Sequence, residues 1–149
     1  SKASYTLKYP ANVNDAGDNT FADIPLLRLS EAYLIAAEAA IKNNDKKNAV
    51  KYLNPIVSRA NPDKSVTKDE ITLDRLLLER RKELVAEGHR FYDAMRNNKR
   101  IERKGKSHNT SQLLLPEAKS FDWDWFKIVI AIPRTELDAN PNIVQNPEY

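Results

Sequence analysis

Apolar side chains recur every three to four residues in three parts of the chain, the spacing that aligns side chains along one face of a helix. The first part follows Pro25 and is rich in leucine and alanine, which predicts a central helix that is apolar on nearly all sides. The second begins after Asp45, a suitable N-cap, and reaches Ala60 with Pro55 inside it, where we expect a kink or an offset. Since only a short turn at 43–45 joins these two helices, the pattern predicts an antiparallel hairpin.

A third helical region spans residues 72–96. The sequence Thr-Lys-Asp-Glu at 67–70 has the form of a capping box and predicts the start of this region. Gly88 interrupts the periodicity and is predicted to follow a helix at the C′ position, where a positive φ costs glycine little. Before it, carboxylates at a spacing of four would line one side of the helix: Glu79, Glu83 and Glu87.

The remaining segments predict little regular structure. Alternation at 5–9 indicates a short strand, and residues 12–20 are rich in Asn, Asp and Gly, which is typical of a loop. Five apolar residues at 128–132 predict a short buried strand that Pro133 ends. A single helical turn at 133–137 and an irregular tail at 138–149 should follow, so the pattern predicts a mainly α fold with helical hairpins, long loops and little β structure.

Composition narrows the class of protein. A length of 149 residues suits one domain or a fragment of a larger chain, and the absence of cysteine excludes a disulfide framework and any thiolate metal site. Two histidines leave little for a zinc centre. With no apolar run near 18 residues and no signal-peptide pattern, we expect the sequence as given neither to span a membrane nor to carry its own export signal.

The three glutamates raise the question of catalysis. Glutamates that project inward hold metal in di-iron bundles, but those sites also need a histidine three residues after a glutamate on two helices, which this sequence does not have. No serine or lysine lies in a nucleophile motif, and three glycines are too few for a glycine-rich phosphate loop. We therefore expect no catalytic residues, no metal and no cofactor, and the alternative is that these carboxylates form ion pairs between helices.

The only concentration of charge runs from Arg96 to Lys106, with six basic residues and one acidic residue. Such a run could bind nucleic acid or phosphate, or it could be a solvated loop. Because no aromatic side chain lies between its charges, the stacking part of single-strand recognition is missing. The sequence thus favours a solvated loop and no nucleic-acid partner.

The segment from Phe121 to Phe126 alternates aromatic and acidic residues. If it were extended, aromatic rings would lie on one side and carboxylates on the other, the combination that the apolar face and hydroxyl groups of a sugar require. The alternative is that the large rings pin a loop to the core. The candidate ligand-binding residues are Trp123, Trp125, Asp122 and Asp124.

Several blocks of the sequence together resemble the C-terminal part of the SusD/RagB family, the starch-utilisation-type glycan-binding surface lipoproteins of Bacteroidetes. These blocks are Ile-Pro-Leu-Leu-Arg-Leu-Ser-Glu-Ala-Tyr-Leu-Ile-Ala-Ala-Glu-Ala at 24–39, Glu-Arg-Arg-Lys-Glu-Leu-Val-Ala-Glu-Gly-His-Arg-Phe-Tyr-Asp at 79–93, and Gln-Asn-Pro-Glu-Tyr at 145–149. The resemblance covers nearly the whole chain in the family's order. Two residues depart from it: Pro55 is unusual in the second helix, and Glu148 stands where the family commonly has glycine.

The resemblance implies a mainly α fold of tetratricopeptide-like helix pairs, with residues 1–149 forming a SusD/RagB-like C-terminal domain that is a fragment of a larger chain. It also implies a protein that is not an enzyme and that captures an oligosaccharide or another nutrient for a TonB-dependent, SusC-like transporter. Such a protein lies on the outer membrane surface, held by a lipid anchor that this sequence does not contain. The matching motif residues are interpreted as an ion-paired frame between helices: Arg28, Glu38, Glu79, Arg80, Glu83, Glu87, Arg90 and Asp93. The alternative function is a tetratricopeptide-type adaptor that binds a protein segment in a helical groove.

Overall fold

The computed structural model describes residues 26–103 and 119–149, so the strand and loop expected at 5–9 and 12–20 lie outside the described residues. The described part is mainly helical with one two-stranded sheet, which confirms the predicted fold class. The chain divides into two compact units, residues 1–76 and 77–149, and each is treated by itself below. Across the two described ranges, no helix has both the length and the apolar character needed to cross a bilayer.

The first unit contains the predicted helical hairpin, formed by α1 (Leu29–Lys42) and α2 (Lys46–Ala60). Asn44 turns the chain with a left-handed φ of 58°, a conformation that asparagine tolerates better than most residues. Asp45 then caps α2 as predicted, accepting a hydrogen bond from the backbone N–H of Asn48 at 3.0 Å. The short connection therefore satisfies both helix ends with local groups.

Helix α1 is buried along one face only. Leu34 and Ala37 are fully buried, whereas Leu29 and Ile35 are 74% and 54% exposed. The prediction of a central helix is therefore wrong for the described residues, because α1 packs mainly against α2 and its outer apolar side chains stay accessible.

Helix α2 continues through Pro55 to Ala60 and buries the apolar side chains of its inner face: Ala49, Leu53, Ile56 and Val57. A 3₁₀ turn at Pro62–Lys64 follows α2. The side-chain amide of Asn54 forms two hydrogen bonds with the backbone of Val66, which lies after this turn. Its Nδ2 donates to the carbonyl of Val66 at 2.9 Å, and its Oδ1 accepts from the N–H of Val66 at 2.8 Å. This amide clamp gives the buried backbone of Val66 both of its hydrogen-bond partners, as a neighbouring strand would.

Helix α3 (Leu73–Glu83) starts later than the capping box predicts. Thr67 does donate its backbone N–H to the Glu70 carboxylate at 2.9 Å, but this contact closes a turn. The helix begins beyond Thr72, whose Oγ1 accepts from the N–H of Arg75 at 3.1 Å. The predicted contact between Thr67 and Glu70 is present, but the prediction that it marks the start of α3 is wrong.

Gly88 has the predicted positive φ, at 78°, yet it precedes α4 (His89–Arg96) as its N-cap instead of ending α3. The reason is that α3 ends at Glu83 and the chain turns before Gly88, with Ala86 also left-handed at a φ of 64°. Glu87 consequently lies outside α3, and the three glutamates do not form one helical stripe.

In the second unit, β1 (Ile101–Glu102) and β2 (Ser120–Phe121) pair antiparallel, with Ile101 opposite Phe121. A 3₁₀ turn at Phe126–Ile128 follows, and α5 (Arg134–Ala139) occupies the place of the predicted helical turn. The residues after α5 form an irregular segment, as expected.

The buried strand predicted at 128–132 is wrong, since Ile130 is 86% exposed and this segment pairs with no described strand. Its backbone is instead bound by side chains of the C-terminal segment. The Gln145 amide accepts from the Ile132 N–H at 2.9 Å and donates to the Ile132 carbonyl at 3.0 Å. Tyr149 adds a hydrogen bond from its hydroxyl to the Val129 carbonyl at 2.8 Å.

Candidate functional site

The aromatic and acidic segment bends immediately after β2. The backbone N–H of Trp125 donates to the carbonyl of Asp122 at 3.2 Å, which closes a turn with aspartate in its favoured first position. The extended conformation that would alternate rings and carboxylates is therefore wrong. The turn separates the two tryptophans instead of placing them on one face.

Trp125 belongs to a chain of rings, here called the aromatic cluster: Phe121, Trp125, Phe126 and Tyr149. The centroids of Phe121 and Trp125 are 5.0 Å apart, and Phe126 and Tyr149 meet edge to face at 5.2 Å. Both are favourable aromatic geometries. Trp125 thus has the contacts of an anchor, which was the alternative interpretation of this segment.

Trp123 is placed differently, at the turn itself. Its side chain is 45% exposed, and it makes no ring contact with another side chain in the described ranges. An indole that packs against no other ring can stack on a ligand without breaking the core. Trp123 is therefore the aromatic residue of this segment best placed to bind a ligand.

Cations cover part of the aromatic cluster. The Lys127 ammonium lies 5.5 Å from the ring centroid of Trp125 and 5.3 Å from that of Phe126, and the Arg103 guanidinium lies 5.3 Å from Phe121. These are cation–π distances. A ligand that stacked on Trp125 would compete with Lys127 for the same ring system.

The two carboxylates of the turn also differ. Asp122 forms an ion pair with the Nη1 of Arg100, whose Nε donates to the hydroxyl of Ser120 at 2.9 Å. Asp124 is exposed beside Trp123. The carboxylate acceptor next to the accessible ring is thus Asp124, while Asp122 helps to hold the turn.

The basic run has more internal contacts than a solvated loop would. Arg96 pairs with Asp93, Arg100 with Asp122, and Arg103 with the ring of Phe121. Lys104 and Lys106 lie outside the described residues. Three of the cations in the run therefore contribute to the fold of the second unit.

One buried contact of the predicted ion-paired frame joins α3 and α4. The Nε of Arg80 lies 2.9 Å from the Oδ2 of Asp93, and the two side chains are only 3% and 7% exposed. Arg96 adds a second contact to the other oxygen of Asp93 at 2.6 Å. Burial acts to raise the pKa of Asp93, but the hydrogen bonds from Arg80 and Arg96 outweigh it and hold the pKa below its ordinary value.

Two other members of the predicted frame form ion pairs with a lysine of their own helix. Glu38 pairs with Lys42 at 3.1 Å and Glu79 with Lys82 at 2.7 Å, each within its own helix. The remaining four lie at the edges of the helices: Arg28 before α1, Glu83 at the end of α3, Glu87 in the turn, and Arg90, exposed, in α4. The scaffold role of this whole set stays a prediction.

The sequence interpretation missed Lys42 and Lys82 as partners, although it placed Arg96 near the glutamates. Each lies three or four residues after the carboxylate that it contacts, so the spacing along a helix was the available signal. Within residues 26–103 and 119–149, no group of three or more His, Asp or Glu side chains is arranged to hold a metal ion.

Comparison with known proteins adds a family and a fold. Residues 4–149 match the SusD family. A SusD-like protein of Formosa agariphila is 30% identical over 143 residues, which is 88% of this chain and 27% of that protein. The chain therefore spans about a quarter of the length of this curated relative.

Solved structures of SusD superfamily proteins have a similar fold. A SusD superfamily protein from Bacteroides thetaiotaomicron VPI-5482 is 44% identical with a TM-score of 0.83, over 97% of this chain and 31% of the other. A protein from Bacteroides vulgatus ATCC 8482, described as a candidate sugar-binding protein, is 51% identical with a TM-score of 0.75, over 91% of this chain and 31% of the other. The helical architecture thus recurs in proteins about three times as long.

Proposed function

Because the chain belongs to the SusD family, we propose that it is part of a protein that binds carbohydrate at the bacterial cell surface. The similarity to a candidate sugar-binding protein supports this function, since 91% of the chain is covered at 51% identity. The observation that carries it to a site is the exposed indole of Trp123 at the turn after β2.

The chemistry of this turn suits a sugar. The flat face of an indole can bury the apolar C–H face of a pyranose ring, while a carboxylate accepts hydrogen bonds from its hydroxyl groups. Trp123 and the neighbouring Asp124 are proposed as this pair. Trp125 and Asp122 are proposed to support it, because the aromatic cluster and Arg100 already occupy them.

Titration of the protein with a panel of oligosaccharides, followed by tryptophan fluorescence and calorimetry, tests this proposal. We expect one member of the panel to bind, and Trp123→Ala to weaken that binding at least about tenfold, which corresponds to about 1.4 kcal/mol. Unfolding by denaturant should be nearly unchanged in this variant because the side chain is half exposed. Trp125→Ala should instead lower stability, since it opens the aromatic cluster.

Tyr92→Ala is the matched control, because Tyr92 is an exposed aromatic residue on α4, outside the turn. Its substitution should leave sugar affinity unchanged. If no oligosaccharide in the panel binds, or if the Trp123 and Tyr92 variants bind equally well, the proposed site is wrong.

We further propose that the complete protein is a lipid-anchored outer-membrane protein that delivers its ligand to a SusC-like, TonB-dependent transporter, and that it is not an enzyme. Membership of the SusD family supports this role. Affinity purification of the complete protein from outer membranes should recover such a transporter in stoichiometric amounts, and incubation with a bound oligosaccharide should release no shorter product. Recovery without a transporter would contradict the first part, and cleavage of the glycan would contradict the second.

A further inference from the structure

A second potential binding site lies at the turn between α3 and α4, away from the tryptophans. A cavity of about 280 Å³, here called the turn cavity, opens between the end of one helix and the start of the other. Its charged wall contains three guanidinium groups, those of Arg80, Arg81 and Arg90, and one carboxylate, that of Asp93. The wall therefore has an excess of positive charge even when Asp93 is counted as ionised.

Arg80 is the buried part of this wall. Its side chain is 3% exposed, its Nε is bound to Asp93, and its Nη1 is buried with no hydrogen-bond partner among the described residues. A buried donor without an acceptor is destabilising, and more so when it is charged. Because Arg80 also lines the turn cavity, we infer that an anionic group bound there would supply the acceptor that its Nη1 lacks.

The start of α4 adds donors to the same wall. Gly88, His89 and Arg90 line the cavity, and the N-cap Gly88 offers no side chain to accept from the first N–H groups of the helix. These N–H groups carry the positive end of the helix dipole and favour an anion. The start of α4 and the buried guanidinium of Arg80 are two independent features, and both favour a negatively charged ligand.

The rest of the lining selects the kind of anion. Leu84, Val85 and Ala86 form an apolar wall, which would penalise a doubly charged ion that must lose its water. A planar carboxylate matches the fork of a guanidinium and carries a single charge. We propose that the turn cavity binds a small organic carboxylate, with its oxygens on Arg80 Nη1, Arg90 and the first N–H groups of α4 and its apolar body against Leu84 and Val85.

Calorimetric titration of the protein with benzoate and with benzyl alcohol tests this proposal, since the two probes share a ring and differ in charge. Benzoate should bind at least about tenfold more tightly than benzyl alcohol. Arg90→Gln and Arg81→Gln should each weaken benzoate binding several-fold, because both exposed guanidiniums line the cavity. Arg80 is left unchanged because its substitution would break the buried pair with Asp93.

Arg134→Gln is the matched control, because Arg134 is an exposed arginine on α5 that does not line the cavity. Its affinity for benzoate should equal that of the unmodified protein. Equal affinity for the two probes, no binding of benzoate at millimolar concentration, or equal loss in the Arg90 and Arg134 variants would each overturn the proposal.

Discussion

The two units of the chain are stabilised by different means. Among the described residues, ten apolar side chains are buried in the first unit and four in the second, which are Leu77, Leu84, Ala94 and Phe121. Among the same residues, the second unit buries three charged side chains, those of Glu79, Arg80 and Asp93, whereas the first buries only that of Glu38. The comparison teaches that apolar periodicity can define the first unit, whereas the second depends on particular polar partners.

The largest effect is expected from Asp93, the acceptor for both Arg80 and Arg96. Asp93→Ala leaves the 97% buried guanidinium of Arg80 without its carboxylate and should lower the free energy of unfolding by about 4 kcal/mol. Denaturant unfolding measures this loss. Asp138→Ala is the control, because the Arg134–Asp138 pair is exposed and should contribute less than about 1 kcal/mol.

The same residue predicts a dependence on pH. Since the folded pKa of Asp93 is lowered, its contribution to stability is complete above the ordinary carboxyl pKa of about 4 and is lost as pH falls through the folded pKa. The pKa values of Asp45 and Glu70 are lowered too, by hydrogen bonds from Asn48 and Thr67. The unmodified protein should therefore lose stability more steeply below about pH 4 than Asp93→Ala does. Parallel curves would show that Asp93 contributes nothing to this acid sensitivity.

In the first unit, the corresponding test is a substitution that creates a cavity in the apolar core. Leu53 on α2 is fully buried, so Leu53→Ala should lower the free energy of unfolding by about 3 kcal/mol. Ile35→Ala on the outer face of α1 should change it by less than about 1 kcal/mol, because that side chain is already 54% exposed. A comparable loss in both variants would show that the outer face of α1 is covered in solution.

Both units contain one amide clamp, which allows a direct comparison. Asn54 binds the N–H and carbonyl of buried Val66, and Gln145 binds the same groups of half-buried Ile132. Asn54→Ala should cost about 2 kcal/mol and Gln145→Ala about 1 kcal/mol, because water can replace the amide more easily at Ile132. Hydrogen exchange of the Val66 and Ile132 amides, with exposed Asn142→Ala as control, measures this directly. The reverse order would mean that the C-terminal segment depends on its clamp more than the hairpin does.

These contrasts explain which parts of the fold the sequence can predict. The α1–α2 hairpin follows from local signals, since its caps and periodicity involve residues a few positions apart. The segment at 128–132 has the composition of a buried strand, but its partners are side chains at 145–149, which no local pattern identifies.

The candidate site was predictable to a similar degree. The alternation of aromatic and acidic residues identified the segment 121–126. The hydrogen bond that closes the turn after Asp122, however, separates Trp123 from Trp125. Contacts within the aromatic cluster then decide which of the two rings stays accessible. The pairing of Arg80 with Asp93 spans 13 residues and two helices, so sequence blocks could suggest it only through the family resemblance. Gly88 shows the same limit, because its positive φ was predictable while its place relative to α3 and α4 depended on where α3 ends.

The smallest effects concern left-handed residues. The hairpin of the first unit uses Asn44 for its left-handed position, whereas the second unit has left-handed Ala86 and Glu148, with φ values of 64° and 70°, besides Asn98. Left-handed backbone costs a residue with a Cβ about 1–2 kcal/mol, and glycine avoids this cost but loses about 0.4–1 kcal/mol through the entropy of the unfolded chain. Ala86→Gly and Glu148→Gly should therefore each raise the free energy of unfolding by about 0.5 kcal/mol.

Thermal unfolding can resolve this gain, which corresponds to roughly 1–2 °C in Tm for a chain of this size. Asn44→Ala is the reciprocal variant, because it gives the hairpin the same left-handed alanine that the second unit has, and it should lower Tm by a similar amount. If Ala86→Gly lowers Tm instead, the Cβ of Ala86 contributes packing in the wall of the turn cavity that outweighs its backbone cost. The sign of that shift therefore decides whether the Cβ of Ala86 stabilises or destabilises the turn of the second unit.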